Sequence, residues 1–441
     1  MPLLTRSAPL PALPRGRATT AQLSVLYPFQ AGASLGTNGI YIGDDVMAGG
    51  GAFCYDPFDL YQRQVISSPN ILVMGQLGSG KSAFVKTFLF RSVGLLSGIN
   101  GQPRRAAILD PKGEYAALGA ALGLTYVKLY PGGPVRLNPL DVGLSHLDTP
   151  ETVSERRMTL LTALASDVIS VSKRSLTPME RSVLAWVCQL LTQRHWGRDA
   201  PTLHDVVYLL ENPTPAMLDR SRRAEDRFVV DTEDLRFSLI ELLDGPLRGM
   251  FDDASNVTID WTGRGVVVDL SAVKDNEAAL NIVMTCASSW LDSVLTAGAS
   301  RDAGSVWYQV LDEGWRLIGS EDRVAHFQSK QKLARAYGLV NILVIHRIAD
   351  LVSQADDGTT SAKIGKGLLA DSQTRIIFHQ DRDQIPETQA VLGLSSVEGS
   401  WLPHLTKGRA LWKIAGHTAL VQGRVAPQEW LFASTDDRMS A

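Results

Sequence analysis

Apolar runs of strand length alternate along most of this chain with stretches of helical period. Ile71–Met74 predicts a buried strand, followed by a glycine-rich turn and a helix over Lys81–Leu96. Ala106–Leu109 predicts a second strand, Tyr115–Leu122 a helix and Tyr126–Leu129 a third strand. After a long interruption the pattern resumes with a strand at Val266–Leu270, a helix at Glu277–Leu295 and a strand at Val306–Leu311. A helix at Glu321–Ala336 and strands at Leu339–Ile345 and Thr374–Phe378 follow. Strands that are apolar throughout need cover on both faces, and their alternation with helices predicts a mostly parallel sheet in an α/β fold. Ala410–Ile414 and Ala419–Val425, on either side of Gly416-His417, predict a C-terminal hairpin, and Pro427 and Glu429 a short terminal turn or helix.

The interruption, residues 145–262, carries helix signals and few strand-like runs. Thr177-Pro178-Met179-Glu180 is a capping box with proline at the first helical position, which predicts a helix to about Arg194. Thr202–Asp205 opens a helix that Pro213 ends, and Thr232 opens one stopped by Gly245-Pro246. The segment Arg220–Arg227 is dense in charge of both signs and reads as a solvated face. The expected organisation is a disordered or extended tail over 1–42, a first part of the core over 43–144, a helical insertion domain over 145–262, and a second part with the hairpin over 263–437.

Composition narrows the classes. Apolar residues make up 45% of the 441 positions, enough for a large core, and a net charge of -3 excludes a strongly basic protein wrapped in nucleic acid. Lys330, Lys332 and Arg335 give only a modest basic helix face. The three cysteines, Cys54, Cys188 and Cys286, lie far apart, with no zinc-ligand spacing among cysteines and histidines. No zinc and no disulfide framework are expected, and Cys188 and Cys286 read as core residues. No run reaches the length of a membrane span, so any membrane role is expected to come through partners.

The chemistry is concentrated after the first strand. Gly75-Gln76-Leu77-Gly78-Ser79-Gly80-Lys81-Ser82 fits G-x-x-x-x-G-K-[ST], and it sits between an apolar strand and an amphipathic helix. Glycines let backbone N–H groups turn inward around phosphate oxygens, and the helix N-terminus adds partial positive charge. Lys81 is then placed for the β- and γ-phosphates of ATP and Ser82 for Mg²⁺. Hydrolysis also needs a carboxylate at the end of a neighbouring strand. Asp312-Glu313 follows Val306–Leu311, at the strand edge where ligands of parallel sheets bind. Asp312 is expected to hold Mg²⁺ and Glu313 to orient and deprotonate the attacking water. A third acidic cluster, Asp110-Pro111-Lys112-Gly113-Glu114-Tyr115, ends the second strand. There Glu114 either lies near the γ-phosphate or a neighbouring subunit, or is an ordinary acid of a strand-to-helix turn.

Together these motifs resemble one family. The strand–GxxxxGKS–helix, the DPKGEY segment, Asn138-Pro139-Leu140-Asp141, and LDEGW at Leu311–Trp315 are similar to the TraC-like conjugation ATPases of type IV secretion systems. These lie within the HerA/FtsK superfamily of RecA-like motors. The segment Leu402–Leu411 and the closing Ser434-Thr435-Asp436 also look like theirs, so the likeness spans about Gly43 to Asp437. His346-Arg347-Ile348-Ala349-Asp350 resembles an HRxxD-like segment of actinobacterial ATP-binding members. The resemblance implies a RecA-like P-loop NTPase core and ATP hydrolysis with Mg²⁺. It further implies a homo-oligomer in the form of a hexameric ring, membrane subunits of a secretion apparatus as partners, and a cytoplasmic place at the inner face of the membrane. Cargo of DNA, protein or pilus subunits stays open, as do a DNA-translocase and a nucleotide-binding scaffold reading. Family members often end the strand after the Walker B element in Thr-Gln, a phosphate sensor. Here Ile345 and His346 stand there, which makes His346 the candidate sensor. Ring motors take an arginine from the next subunit, and Arg375, Arg382 and Arg409 are the candidates near the C-terminal strands.

Overall fold

The computed structural model describes residues 35–97, 102–142, 148–170, 175–257, 263–301, 304–314, 316, 338–348, 369 and 372–434. The expected helix at Glu321–Ala336 and its basic face, together with Trp315, Ala349, Asp350, Thr435 and Asp436, lie outside these residues.

Eleven strands form one sheet among the described residues: β1 (Ile40–Asp45), β2 (Gly51–Tyr55), β3 (Ile71–Met74), β4 (Arg104–Asp110), β5 (Thr125–Lys128), β6 (Gly265–Asp269), β7 (Val306–Leu311), β8 (Leu339–Ile345), β9 (Thr374–Ile377), β10 (Arg409–Ile414) and β11 (His417–Gly423). Their order is β2-β1-β11-β10-β9-β3-β8-β7-β4-β6-β5. The seven strands from β9 to β5 are parallel, and β10, β11, β1 and β2 extend the sheet in antiparallel fashion. β3, β7 and β8 have the bounds their apolar runs predict.

The parallel strands read as unbroken apolar runs because they have two buried faces. Alternate residues of β3 enter different cores: Leu72 and Met74 pack on one side, Ile71 and Val73 on the other. The second core is closed by α1 (Pro57–Gln62), α2 (Lys81–Leu89) and α3 (Ala116–Leu122). Beyond Leu89 the expected helix runs on as a π-helical turn over Phe90–Leu95. The first core is covered by six helices between β5 and β6: α4 (Pro150–Ser170), α5 (Pro178–Arg194), α6 (Leu203–Glu211), α7 (Pro215–Ser221), α8 (Glu225–Asp231) and α9 (Glu233–Asp244). They share one continuous core with the sheet face and with α10 (Glu277–Arg301). Thr177 caps α5 with the predicted box, Arg220–Arg227 is largely exposed across the break between α7 and α8, and Cys188 and Cys286 are buried.

Two strands have no counterpart in the sequence expectation. β1 starts at Ile40, inside the stretch read as a tail, and pairs with β11 and β2. Its burial is mixed and it is pinned by contacts with the far end of the chain. Arg91 of the π-turn donates to both carboxylate oxygens of Glu429 and to the carbonyl oxygens of Tyr41 and Arg424, joining the first strand to α13 (Trp430–Ala433), which follows α11 (Ile385–Leu392) and α12 (Ser396–Trp401). The Asn-Pro-Leu-Asp segment is a second knot. Asn138 donates to the carbonyl of Pro201 (3.0 Å), and buried Arg157 of α4 donates to the carbonyl of Leu140 (3.0 Å) and to Thr192 of α5 (3.0 Å).

Candidate functional site

Gly75–Ser82 leaves the end of β3 and turns into α2. The loop is shaped by glycines, two of which, Gly78 and Gly80, have left-handed backbone. Gly80 has a φ of 108°, and a Cβ there would come within 3.0 Å of the Gly408 nitrogen. Gly408 in turn donates to the carbonyl of Ser79 (3.0 Å), so the strand-entry turn before β10 buttresses the loop. The other wall is the chain leaving β9. Phe378 donates to the Met74 carbonyl (2.8 Å), Gln76 donates to the His379 carbonyl (3.0 Å), and the Gln76 side chain donates to Asp381. Lys81 is 5% exposed and folds back over the loop, its ammonium on the carbonyls of Gly75 and Gln76. Gly80 gives α2 no side-chain cap. The first-turn N–H groups of a helix have no intrahelical partner, and an anion suits them.

Asp312 and Glu313 emerge together at the end of β7, both nearly buried. β8 lies between β7 and the P-loop strand β3, and all three end at the same edge of the sheet. Glu313 has a φ of 53°, a left-handed conformation that costs a non-glycine residue about 1–3 kcal/mol and clusters at functional sites. Its carboxylate is gripped from both sides. The His346 Nε2 lies 2.8 Å from Oε1, and Lys112 forms an ion pair with the same oxygen. Burial acts to raise the Glu313 carboxyl, but the His346 hydrogen bond and the Lys112 charge outweigh it and hold the group well below the usual carboxylate range. Asp312 goes the other way. Burial pushes it up to about 6, against the pull of Lys112 and with help from the charges of Glu313, Glu114 and Asp110. The Tyr115 phenol is buried beside it and raised well above its ordinary value, by burial first and then by Asp312.

The acidic cluster after β4 divides by role. Asp110 is fully buried and accepts the backbone N–H groups of Lys112, Gly113, Glu114 and Tyr115, at 2.8–3.2 Å. It therefore builds the turn that carries Lys112 to Glu313. Glu114 is partly exposed, and its charge is felt by both Asp312 and Lys112.

Residues 40–410 match the family described as the TraG P-loop domain. The chain belongs to the TraG P-loop family. Its fold is that of VirB4 of Thermoanaerobacter pseudethanolicus, with a TM-score of 0.69 at 19% identity over 90% of this chain and 99% of that one. The bacterial conjugative coupling protein TrwBΔN70 superposes with a TM-score of 0.54 at 15% identity, over 93% of this chain and 92% of that one. TrwB in complex with the non-hydrolysable ATP analogue ADPNP gives 0.53 at 14% identity, over 81% and 85%. These likenesses are likenesses of fold. No curated protein matches the chain in sequence.

In this TraG-family chain the three candidate arginines occupy different settings. Arg375 on β9 is partly buried and donates to the carbonyls of Ser372 and Leu392 in its own chain. Arg409 opens β10 and donates to the Gln422 side chain (3.1 Å). Arg382 is exposed in the short turn Arg382–Gln384, one residue past the Asp381 that Gln76 touches. Sequence reasoning did not single out Lys112, Tyr115 or Gly408. Lys112 stood inside a quoted motif, yet nothing local distinguishes it from a solvated turn lysine.

Among the described residues no helix is long and apolar enough to cross a membrane, and no cluster of three or more His, Cys, Asp or Glu is placed to hold a metal.

Proposed function

We propose that this chain is an ATP-hydrolysing motor that energises substrate transfer or apparatus assembly in a type IV secretion or conjugation system. The observation that carries the reading is the pairing of an uncapped, glycine-lined P-loop with a buried carboxylate pair two strands away at the same sheet edge. The site fits ATP. The N–H groups at the start of α2 suit the phosphates, and Lys81, folded over the loop in this structure, swings its ammonium onto the β- and γ-phosphates.

It also fits Mg²⁺. Asp312 is a buried carboxyl crowded by other acids, so a cation offsets the burial that raises it. A magnesium ion commonly takes one or two protein oxygens and completes its shell with phosphates and water. Ser82 and Asp312 would supply those oxygens here. When bound, the ion neutralises charge developing on the phosphates.

Glu313 stays ionised and orients the attacking water; as the water oxygen bonds to the γ-phosphorus, the bond from that phosphorus to the β–γ bridging oxygen breaks, ADP leaves with that oxygen, and the water's proton passes to the Glu313 carboxylate. Lys112 and His346 hold that carboxylate in place. His346, at the end of the strand between the P-loop strand and β7, reports on the phosphate through its bond to Glu313. Arg382 is the candidate for a neighbouring subunit's nucleotide, because it is exposed while Arg375 and Arg409 donate within their own chain. The subunits act as a homo-oligomeric, hexameric ring docked on membrane subunits of the apparatus.

The test is ATP hydrolysis per subunit as a function of protein concentration, with Glu313→Gln as control. A specific rate that climbs with concentration and vanishes in the variant is expected. ATP binding with no hydrolysis, whether or not DNA is added and at every oligomeric state reached, would overturn the motor reading in favour of a nucleotide-bound scaffold.

A further inference from the structure

One nitrogen of the His346 ring is spent on Glu313 and the other is not. Nε2 lies 2.8 Å from the Glu313 carboxylate, whereas Nδ1 is buried with no hydrogen-bond partner among the described residues. Gln380 lies beside it and is 0% exposed. Its Nε2 donates to the His346 backbone carbonyl (3.4 Å), and its Oε1 is buried and, among the described residues, unpartnered. Leaving one such buried polar atom unpaired costs about 1–3 kcal/mol. Two neighbouring residues carry that cost here, and a leucine at 380 would fill a similar volume without it.

The position of Gln380 ties it to the phosphate loop as well. β3 lies between β9 and β8. With strands about 4.8 Å apart, a residue leaving β9 meets one leaving β8 only by crossing about 10 Å over the end of β3, where the loop begins. The backbone makes part of that crossing. Gln76 donates to the carbonyl of His379, the residue before Gln380, and a Cβ at Gly75 would come within 2.5 Å of the Phe378 Cβ. The Gln380 N–H donates to the Leu402 carbonyl (3.4 Å), which holds the segment from its other side. Residues 378–380 therefore lie against the loop, and the side chain of the last of them ends at His346. A primary amide suits this place. It carries a donor and an acceptor on one planar group, and half a turn about its terminal bond exchanges them. It can therefore meet Nδ1 whether that nitrogen is bare or protonated.

We propose that Gln380 is a positioning residue for hydrolysis: with nucleotide on the loop its amide pairs with Nδ1 of His346, fixes the plane of the ring and thereby holds the Glu313 carboxylate on the attacking water. The inference rests on the ATP-hydrolysis reading above and deepens it by naming the residue that links the phosphate loop to the base. The movement required is small, because the amide already reaches the carbonyl of the same histidine. Gln380 acts through His346 and not on the nucleotide, so it governs kcat and leaves ATP affinity alone.

The test is steady-state ATP hydrolysis by the full chain, with ATP affinity and melting temperature, for the parent, Gln380→Leu, His346→Gln and the double variant. Gln380→Leu is expected to lower kcat at least about tenfold, as a misplaced catalytic group does, with KM within about threefold of the parent. Its melting temperature should equal or exceed the parent's, because an unpaired acceptor leaves the interior. His346→Gln keeps a donor for Glu313 but has no ring nitrogen for Gln380 to hold, so in that background Gln380→Leu should change kcat by less than about twofold. A parent-like kcat in Gln380→Leu, a raised KM with kcat unchanged, or an equal loss in both backgrounds would overturn the proposal. If His346→Gln turns over too slowly to read, the nitrogen resonance of His346 Nδ1 with a non-hydrolysable ATP analogue bound decides: a shift between the parent and Gln380→Leu supports the pairing, and an unchanged resonance overturns it. If Gln380→Leu does not fold, Gln380→Met, which is long and unbranched, is read by the same criteria. A parent that binds ATP but hydrolyses none at any protein concentration would instead overturn the hydrolysis reading itself, and this proposal with it.

Discussion

Replacing Asp312 by asparagine should make the nucleotide-free protein more stable while removing its capacity for hydrolysis. The carboxyl is held at about 6 in the fold, chiefly by burial, against 3.8 in an open chain. Ionising it inside the protein therefore costs about 3 kcal/mol relative to the unfolded chain. The sign follows from linkage. A carboxyl raised on folding binds its proton more tightly in the native state, so its contribution to stability is fully present below about pH 4 and is lost as pH rises through about 6. Asparagine has no charge to bury and its Oδ1 still accepts the Glu313 N–H, which Asp312 accepts at 3.0 Å. The attraction of Lys112, the largest influence lowering the Asp312 carboxyl, is already contained in that value of about 6. The net expectation is a gain of about 2–3 kcal/mol at pH 7.5, shrinking to about 1 kcal/mol or less at pH 4.5. Urea denaturation in the presence of a chelator, repeated across this range, measures it. A variant no more stable than the parent at pH 7.5, or a difference that does not change with pH, would refute the assignment of Asp312 as a carboxylate held at a cost for function.

Glu313→Gln should lower turnover at least about a hundredfold and leave ATP affinity intact, read by steady-state kinetics beside calorimetry. The parent should also lose stability in acid, because a carboxyl held low on folding stabilises the fold fully above its open-chain value of 4.5 and loses that contribution progressively as pH falls from there toward its much lower folded value. Glu313→Gln should lack that loss in acid denaturation. Gly80→Ala should cost about 1–3 kcal/mol and weaken nucleotide binding, since it adds backbone strain at a φ of 108° to a contact with Gly408. Gly78→Ala, whose Cβ meets open space at a φ of 77°, should cost less, and equal melting temperatures for the two would count against the Gly408 buttress. Arg91→Ala strips Glu429 of a bidentate partner, the two side chains being 12% and 8% exposed. A loss of about 2–3 kcal/mol and faster hydrogen exchange in β1 and the C-terminal helix are expected.

The site works by opposing two adjacent carboxyls. Asp312 is buried among other acids and rises, whereas Glu313 is given a histidine and a lysine and falls. Environments that push two titratable groups apart suit them to different roles, as the proposed cation ligand and ionised base require. The left-handed backbone at Glu313 is the geometric cost of turning the second carboxylate toward Lys112 and His346.

The sequence by itself determined the parts with local physics. Ile71–Met74, Val306–Leu311 and Leu339–Ile345 were legible because buried parallel strands are apolar without interruption, and Thr177–Glu180 because a capping box is spelled in four consecutive residues. The P-loop was legible for the same reason: its glycines, Lys81 and Ser82 are contiguous. Tertiary structure alone decided the rest. β1 and β2 are short and only half buried, so their alternation is weak, and they are strands because β11, some 380 residues away, offers β1 an edge. Gly408 is an ordinary glycine before a strand until it meets Gly80. Lys112 is an ordinary turn lysine until parallel pairing of β4 with β7 brings the ends of those strands side by side and sets it on Glu313. Such contacts depend on strand order and register, which are fixed by packing between distant segments and leave no periodic trace near either residue.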